Sequence, residues 1–305
     1  MKLYLQFFFT RAIFCVLLAF SIPMQSEEPE SKIYDCFPFF NELELLKLRI
    51  DELNDHVDYF VLVESIETQR GAPKPLYFEE NKRLFAPYLH KIIHIIIDEH
   101  HPEMSFWERE NYQRNCISRG LTNCSPNDII LISDLDEIPR HSIISKIQQE
   151  LLGPCNYLTR SGQRTPRARR TSRATSSLVS LQQDIYFFHL NRQTLTGETW
   201  GGGPWFGTVA VTYDSFQKYG AQHFRNQRGH GTQLRKAGWH FTWIGGKEAV
   251  RKKCLSVVEG RSEALEDAEI QHWFNIHPIV PLDDSFPEYV IRNQDYLRSI
   301  GFLAE

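Results

Sequence analysis

Three continuous apolar runs, each closed by acidic residues, constrain the fold of this chain more than any other feature. Tyr59-Phe-Val-Leu-Val ends in Glu64, Ile92 to Ile97 ends in Asp98, and Ile129-Ile-Leu-Ile-Ser133 ends in Asp134-Leu135-Asp136. Short runs without polar alternation fit strands buried on both faces of a parallel sheet. Between them lies helical spacing. Leu43, Leu46, Ile50 and Leu53 share one face after Asn41, which stands where an N-cap belongs, with Glu42 and Glu44 in the first turn. A second helix is predicted over Trp107 to Arg119, and Glu288 to Ser299 reads as a closing helix started by Pro287. Ile33-Tyr-Asp-Cys-Phe-Pro-Phe predicts a further strand, and Gly238-Trp-His-Phe-Thr-Trp-Ile244 an aromatic one. Strands alternating with helices define an α/β sheet. In such sheets ligands sit outside the carboxyl ends of the strands, so the three acidic tips point at one rim.

The chain has 305 residues, 42% apolar and 13% aromatic, which excludes a mostly disordered protein. No fibre or solenoid period is present. The net charge of −4 conceals two unlike parts. Six of the 34 basic residues are arginines at 160, 164, 167, 169, 170 and 173, in a stretch with no acid. The other 28 face 38 acids, so the remainder carries −10. From 153 to 182 apolar patterning gives way to Ser, Thr, Arg, Gly and Pro, which predicts a disordered insert in one domain spanning 27–305. An acidic body and an insert nearly devoid of aromatics argue against a nucleic-acid partner.

Lys2 and Arg11 precede an apolar run from Ala12 to Ile22, and 1–26 is expected to be a signal peptide or signal anchor. That would give a membrane-anchored or exported protein: in the Golgi lumen of a eukaryote, or in the periplasm, envelope or medium of a bacterium. Setting Cys15 aside leaves Cys36, Cys116, Cys124, Cys155 and Cys254, enough for one or two disulfides with a thiol left over.

The chemistry concentrates at Asp134-Leu135-Asp136-Glu137. Two carboxylates one residue apart, in a turn directly after a buried strand, can face one cation. Hard oxygen ligands suit Mg²⁺ or Mn²⁺, which offsets the charge on a departing nucleotide diphosphate. The structural alternative is a solvated acidic turn capping the segment after Pro139.

Several segments resemble glycosyltransferase family 17. They are Tyr34-Asp-Cys-Phe-Pro-Phe-Phe-Asn-Glu-Leu-Glu-Leu-Leu with Arg49, Val57-Asp-Tyr-Phe-Val-Leu-Val-Glu64, and Thr68 with Arg70-Gly. Arg109-Glu-Asn-Tyr-Gln-Arg-Asn115, Ile130-Leu-Ile-Ser-Asp-Leu-Asp-Glu-Ile-Pro139 and Gly238-Trp-His-Phe241 continue the match in register. The resemblance implies a GT-A type, Rossmann-like mixed sheet, mainly parallel and flanked by helices. It also implies inversion at the transferred sugar and dependence on Mn²⁺ or Mg²⁺. The donor would be UDP-GlcNAc, and the product a β-linked N-acetylglucosamine, β-1,4 to mannose of an N-glycan-like or glycoprotein acceptor.

Within that frame Asp136 is the expected metal contact and, through the metal, a catalytic residue, with Asp134 on metal or ribose and Glu137 in support. His240 is the expected third metal ligand, the alternative being a packed core histidine. Glu64 is placed to meet the nucleoside, while Arg70 and Arg114 are placed to reach the nucleotide diphosphate. Inversion needs a carboxylate base for the acceptor hydroxyl. The candidates are Asp184, Glu198 and Asp214; Glu198 is preferred because Trp200 and Trp205 beside it offer faces for a sugar ring. Two other classes stay open: a non-catalytic glycan-binding protein with this fold, and a metal-dependent phosphotransferase. The latter is disfavoured because no P-loop occurs and Ile138 stands where an Asp-x-Asp-x-Thr motif needs threonine.

Overall fold

A computed structural model describes residues 31–153, 156–158, 164–166, 178–194, 204–260, 263 and 265–305. The leader at 1–26, Glu198 and Trp200 lie outside the described residues. In chain order the first half comprises β1 (Ile33–Phe39), α1 (Leu43–Leu53), β2 (Tyr59–Ser65), α2 (Tyr77–Asn81), β3 (Ile92–Ile97), α3 (Phe106–Asn115), β4 (Ile129–Ile132), β5 (Glu137–Pro139) and α4 (Ile144–Leu152). The second comprises β6 (Asn156–Leu158), β7 (Arg164–Pro166), β8 (Leu178–Phe187), β9 (Trp205–Thr212), α5 (Tyr213–Tyr219), α6 (Ala221–Asn226), β10 (Thr232–Leu234) and β11 (Gly238–Thr242). It closes with α7 (Gly246–Cys254), α8 (Asp267–Ile276), α9 (Glu288–Arg292) and α10 (Gln294–Ser299).

Nine of the described strands form one sheet in the order β3-β2-β1-β4-β9-β8-β11-β5, with β10 added beside β8, and β6 and β7 form a separate pair. Neighbours from β3 to β4 are parallel, as are β8 with β11 and with β10. The β4–β9, β9–β8 and β11–β5 pairs are antiparallel. This is a mixed, mainly parallel sheet flanked by helices, as expected from the sequence.

The apolar runs follow from two-sided coverage. On one face α1 buries Leu45, Leu46, Leu48 and Ile50 against Phe37, Leu62 and Leu131. On the other, Cys116 and Ile117 of the 3-10 turn after α3, with Ala221 and Phe224 of α6, cover Cys36, Val61 and Ile130. Full burial of each such aliphatic side chain stabilises the fold by roughly 1.5–3 kcal/mol. The run from Ile92 to Ile97 departs from this pattern. β3 is an edge strand, and of its residues only Ile97 is buried, because no strand lies beyond it.

Other boundaries shift as well. Glu42, not Asn41, occupies the N-cap of α1, and its carboxylate accepts the Asn41 N–H at 3.0 Å. The closing helix is two pieces separated at Asn293. Within the region expected to be disordered, β6 and β7 pair antiparallel, and β8 begins at Leu178. The polar residues of β8 disguise it: Ser180 and Gln183 are buried and hydrogen-bonded while Val179 and Leu181 enter the core. Among the described residues Cys36, Cys116 and Cys124 are free thiols, and no helix is long and apolar enough to cross a membrane.

Candidate active site

A cavity of about 840 Å³ opens at the carboxyl edge of the parallel strands. Phe39 and Phe40 at the end of β1, Thr68 and Gln69 after β2, and Asp134 to Asp136 after β4 line one side. Trp205 of β9, His240 of β11 and Trp243 line the other. Trp243 has φ of 59°, a left-handed conformation rarely adopted by a bulky residue.

The acidic turn is held from beneath by Arg49, which sequence reasoning placed only in a matching segment. Arg49 is fully buried on α1 and donates to both carboxylate oxygens of Asp35, at 2.7 and 2.6 Å. Its remaining N–H groups reach the carbonyls of Asp134, Leu135 and Glu137 at 2.9 to 3.1 Å and Ser133 Oγ at 2.6 Å. One guanidinium therefore ties three turn carbonyls together, those of Asp134 and Glu137 also accepting from the Glu137 N–H and Thr208 Oγ1–H. The signal was an arginine on the leucine-rich face of α1, with an aspartate inside β1.

Glu137 closes the turn from the other side. It is fully buried, accepts the Asp134 N–H at 2.9 Å and Trp205 Nε1–H at 3.0 Å, and pairs with Arg225 at 2.7 Å. Gly207 is required opposite, since a Cβ there would overlap Gln183 Oε1 and crowd Glu137.

The two aspartates have different partners. Asp134 is gripped by Arg225 at 2.7 Å and Arg114 at 2.9 Å, one guanidinium on each oxygen. Burial alone would raise its pKa, but the two arginines outweigh burial and hold it well below the usual carboxylate range. Each oxygen thus faces a guanidinium, where the sequence reading placed a metal or ribose contact. Arg114 correspondingly lines the cavity with its charge shared among Asp134, Glu110 and Gln222.

Asp136 gives Oδ2 to Lys253 Nζ at 2.8 Å and turns Oδ1 toward His240 Nε2 at 3.6 Å. Against the effect of burial, Lys253 and His240 hold its pKa low. The Oδ1–Nε2 separation exceeds a hydrogen bond and suits two ligands sharing one ion. His240 Nδ1 is buried without a partner, and the ring stacks on Trp205 at 4.7 Å. Carboxylate oxygen and imidazole nitrogen fit Mn²⁺ or Mg²⁺ bound jointly by these two side chains and by oxygens of a substrate or water. Among the described residues no group of three His, Cys, Asp or Glu side chains could hold an ion unaided.

Several expected contacts are absent. Glu64 does not reach the cavity: it is fully buried, accepting the Phe78 N–H at 3.0 Å and lying 3.1 Å from His94 Nε2. The next strand and α2 close over it, so it anchors their backbone. Asp98 is exposed on the edge and does not line the cavity. Arg70 also lies off the cavity wall; it stacks over Phe106 at 4.5 Å and donates to the Gly260 carbonyl at 3.2 Å. Trp205 spends its aromatic face on His240 and on Arg228, whose guanidinium lies 4.9 Å from the ring. Asp184 lies 3.7 Å from Arg140 and Asp214 pairs with Lys218 at 2.7 Å, both off the cavity wall.

A mixed, mainly parallel sheet flanked by helices carries a clamped acidic turn over a charged cavity. The profile of glycosyltransferase family 17 matches residues 8–159, and the chain belongs to that family. It is 24% identical over 316 aligned positions to the beta-1,4-mannosyl-glycoprotein 4-beta-N-acetylglucosaminyltransferase of Rattus norvegicus. It is 25% identical over 310 positions to the Homo sapiens protein of the same description. These alignments take in 89% and 88% of this chain but 54% of each relative, so the chain spans about half the length of the curated relatives it matches. A solved structure of the galactosyltransferase LgtC with donor and acceptor sugar analogues aligns with 90% of this chain and 97% of that one, at 12% identity and a TM-score of 0.34.

Proposed function

We propose that the protein is an inverting glycosyltransferase that moves N-acetylglucosamine from UDP-GlcNAc in β linkage to a mannose of an N-glycan-like or glycoprotein acceptor. Membership of the family and the names of its relatives support the reading. The observation that carries it is Arg228 on the cavity wall, with no carboxylate within ion-pair distance among the described residues, across a site that also holds Asp136. Burial and the neighbouring Arg225 lower the Arg228 pKa, with Glu137 and Asp134 acting against them from beyond ion-pair distance. A diphosphate supplies a counter-charge and suits the guanidinium fork.

Asp136 and His240 would hold Mn²⁺ or Mg²⁺, which offsets the charge developing on the diphosphate as the sugar departs. Lys253 keeps Asp136 oriented through its Oδ2 and adds a second positive charge to the same wall. Trp107, 56% exposed on α3 at the cavity rim, presents an uncommitted aromatic face where the acceptor would enter. A lumenal or exported setting, reached through the N-terminal segment by cleavage or anchoring, suits such an acceptor.

The test is UDP release from UDP-GlcNAc with Mn²⁺ and a mannose-terminated acceptor. Wild-type protein is expected to release UDP, and Asp136→Ala to slow release by roughly 100-fold or more. Wild-type protein that releases none under these conditions, or a variant that releases as fast, contradicts the reading.

A further inference from the structure

The candidate bases named from sequence leave the acceptor hydroxyl without a partner among the described residues, yet the cavity wall supplies one. Nearly every carboxylate on that wall is already matched to a cation. Glu42 lies 3.5 Å from Lys253, Glu67 3.3 Å from Arg109, and Glu110 2.7 Å from Arg114. Asp134 and Asp136 are held by Arg225 and Lys253 as described. Glu259 is the exception: it lines the cavity, is exposed to it, and has no cation within ion-pair distance among the described residues.

Its backbone is nevertheless fixed. The Val258 N–H donates to Gln69 Oε1 at 2.9 Å, and Arg70 donates to the Gly260 carbonyl at 3.2 Å. The loop after β2 thus pins the chain on both sides of Glu259 and leaves its side chain free to face the cavity. Arg70, expected to touch the nucleotide, instead positions this segment. Partial desolvation of its carboxylate against the wall raises the Glu259 pKa above the ordinary carboxylate value, its own backbone N–H and Lys253 opposing the shift and Glu110 and Asp134 adding to it. That direction makes it a stronger proton acceptor than a solvated glutamate.

Resting on the glycosyltransferase reading, we propose that Glu259 is the base that takes the proton from the attacking hydroxyl of the acceptor glycan. In the step, the acceptor O–H bond breaks and its proton passes to a Glu259 carboxylate oxygen. The oxygen forms a bond to the anomeric carbon. The bond from that carbon to the β-phosphate oxygen breaks, and its electron pair leaves with UDP. Arg228 and Glu259, the wall's cation and carboxylate without opposite partners, thereby take the leaving group and the proton respectively.

The experiment compares full-length wild type, Glu259→Gln and Glu259→Asp for UDP-GlcNAc affinity and for transfer to the acceptor. The expected result is that Glu259→Gln binds donor within about twofold of wild type and transfers roughly 100-fold or more slowly, while Glu259→Asp, which restores a carboxylate, recovers part of the rate. Glu259→Gln that transfers within threefold of wild type overturns the assignment, as does loss of donor binding in parallel with rate. If Glu259→Gln does not fold, Glu259→Asp decides: slowed transfer with intact donor binding is the expected result, and donor binding lost in parallel with rate is the overturning one. Wild type that binds donor and transfers nothing refutes the glycosyltransferase reading itself.

Discussion

The acidic turn after β4 and the wall that carries Arg228 and Glu259 face the same cavity under opposite electrostatic regimes. At the turn, charges are matched: Arg49 with Asp35, Arg225 with Glu137 and Asp134, Arg114 with Glu110. On the wall, one cation and one carboxylate stand without opposite partners among the described residues. Matched buried charges fix geometry, because loss of one member strands the other. Unmatched charges beside an open cavity are available to a ligand that brings the missing charge or proton. Sequence motifs marked the first region, whereas chemistry at the second had to be read from what its side chains fail to touch.

The largest expected effect lies beneath the matched region. Arg49→Leu should strand Asp35 and release three turn carbonyls, costing about 3–5 kcal/mol in denaturant unfolding. A loss under about 1 kcal/mol would mean that the turn is held by packing alone.

Arg228→Ala should behave in the opposite manner. Donor affinity should fall roughly 10-fold or more, the value of a charge-assisted contact, while unfolding changes by no more than about 0.5 kcal/mol. A stability loss with unchanged donor affinity would place Arg228 among the structural charges and erase the distinction between the two regions.

The smallest effect concerns a group that lacks a partner but faces no cavity. His189 Nδ1 is buried without a hydrogen bond, and burial together with Arg192 lowers its pKa to about 4. Since its folded value lies below the unfolded one, near 6.5, the unfolded chain takes the proton first as pH falls. His189 therefore costs no stability above pH of about 6.5, and stability declines from there toward pH 4. His189→Leu should flatten that decline by about 1 kcal/mol, after allowance for partial exposure, and leave donor affinity unchanged. A change in affinity would show that absence of a partner alone, away from the cavity, marks function.

Much of this was legible in the chain. The apolar runs of β1, β2 and β4 announce doubly covered parallel strands, and their order places Asp134 and Asp136 on the ligand edge. β3 reads the same way but lies at the sheet edge, because uniform apolarity says nothing about how many neighbours a strand has. β8 was partly hidden, since Ser180 and Gln183 satisfy their hydrogen bonds inside the sheet and so look like loop residues in sequence. Acidic residues at strand ends were a fair guide to the rim but not to their partners. Glu64 is consumed by the N–H of Phe78 and Asp134 by two arginines from α3 and α6, contacts that span 14, 20 and 91 residues of chain. Glu259 left no sequence signal, since its distinguishing property is the lack of a cation in three dimensions.

The most direct test of the central claim, that the cavity transfers a sugar with inversion, is a proton NMR time course of the full chain with UDP-GlcNAc and a mannose-terminated acceptor. A new β-anomeric N-acetylglucosamine signal growing in step with UDP is the predicted result. An α-anomeric product, or UDP release with no new glycosidic signal, would contradict it.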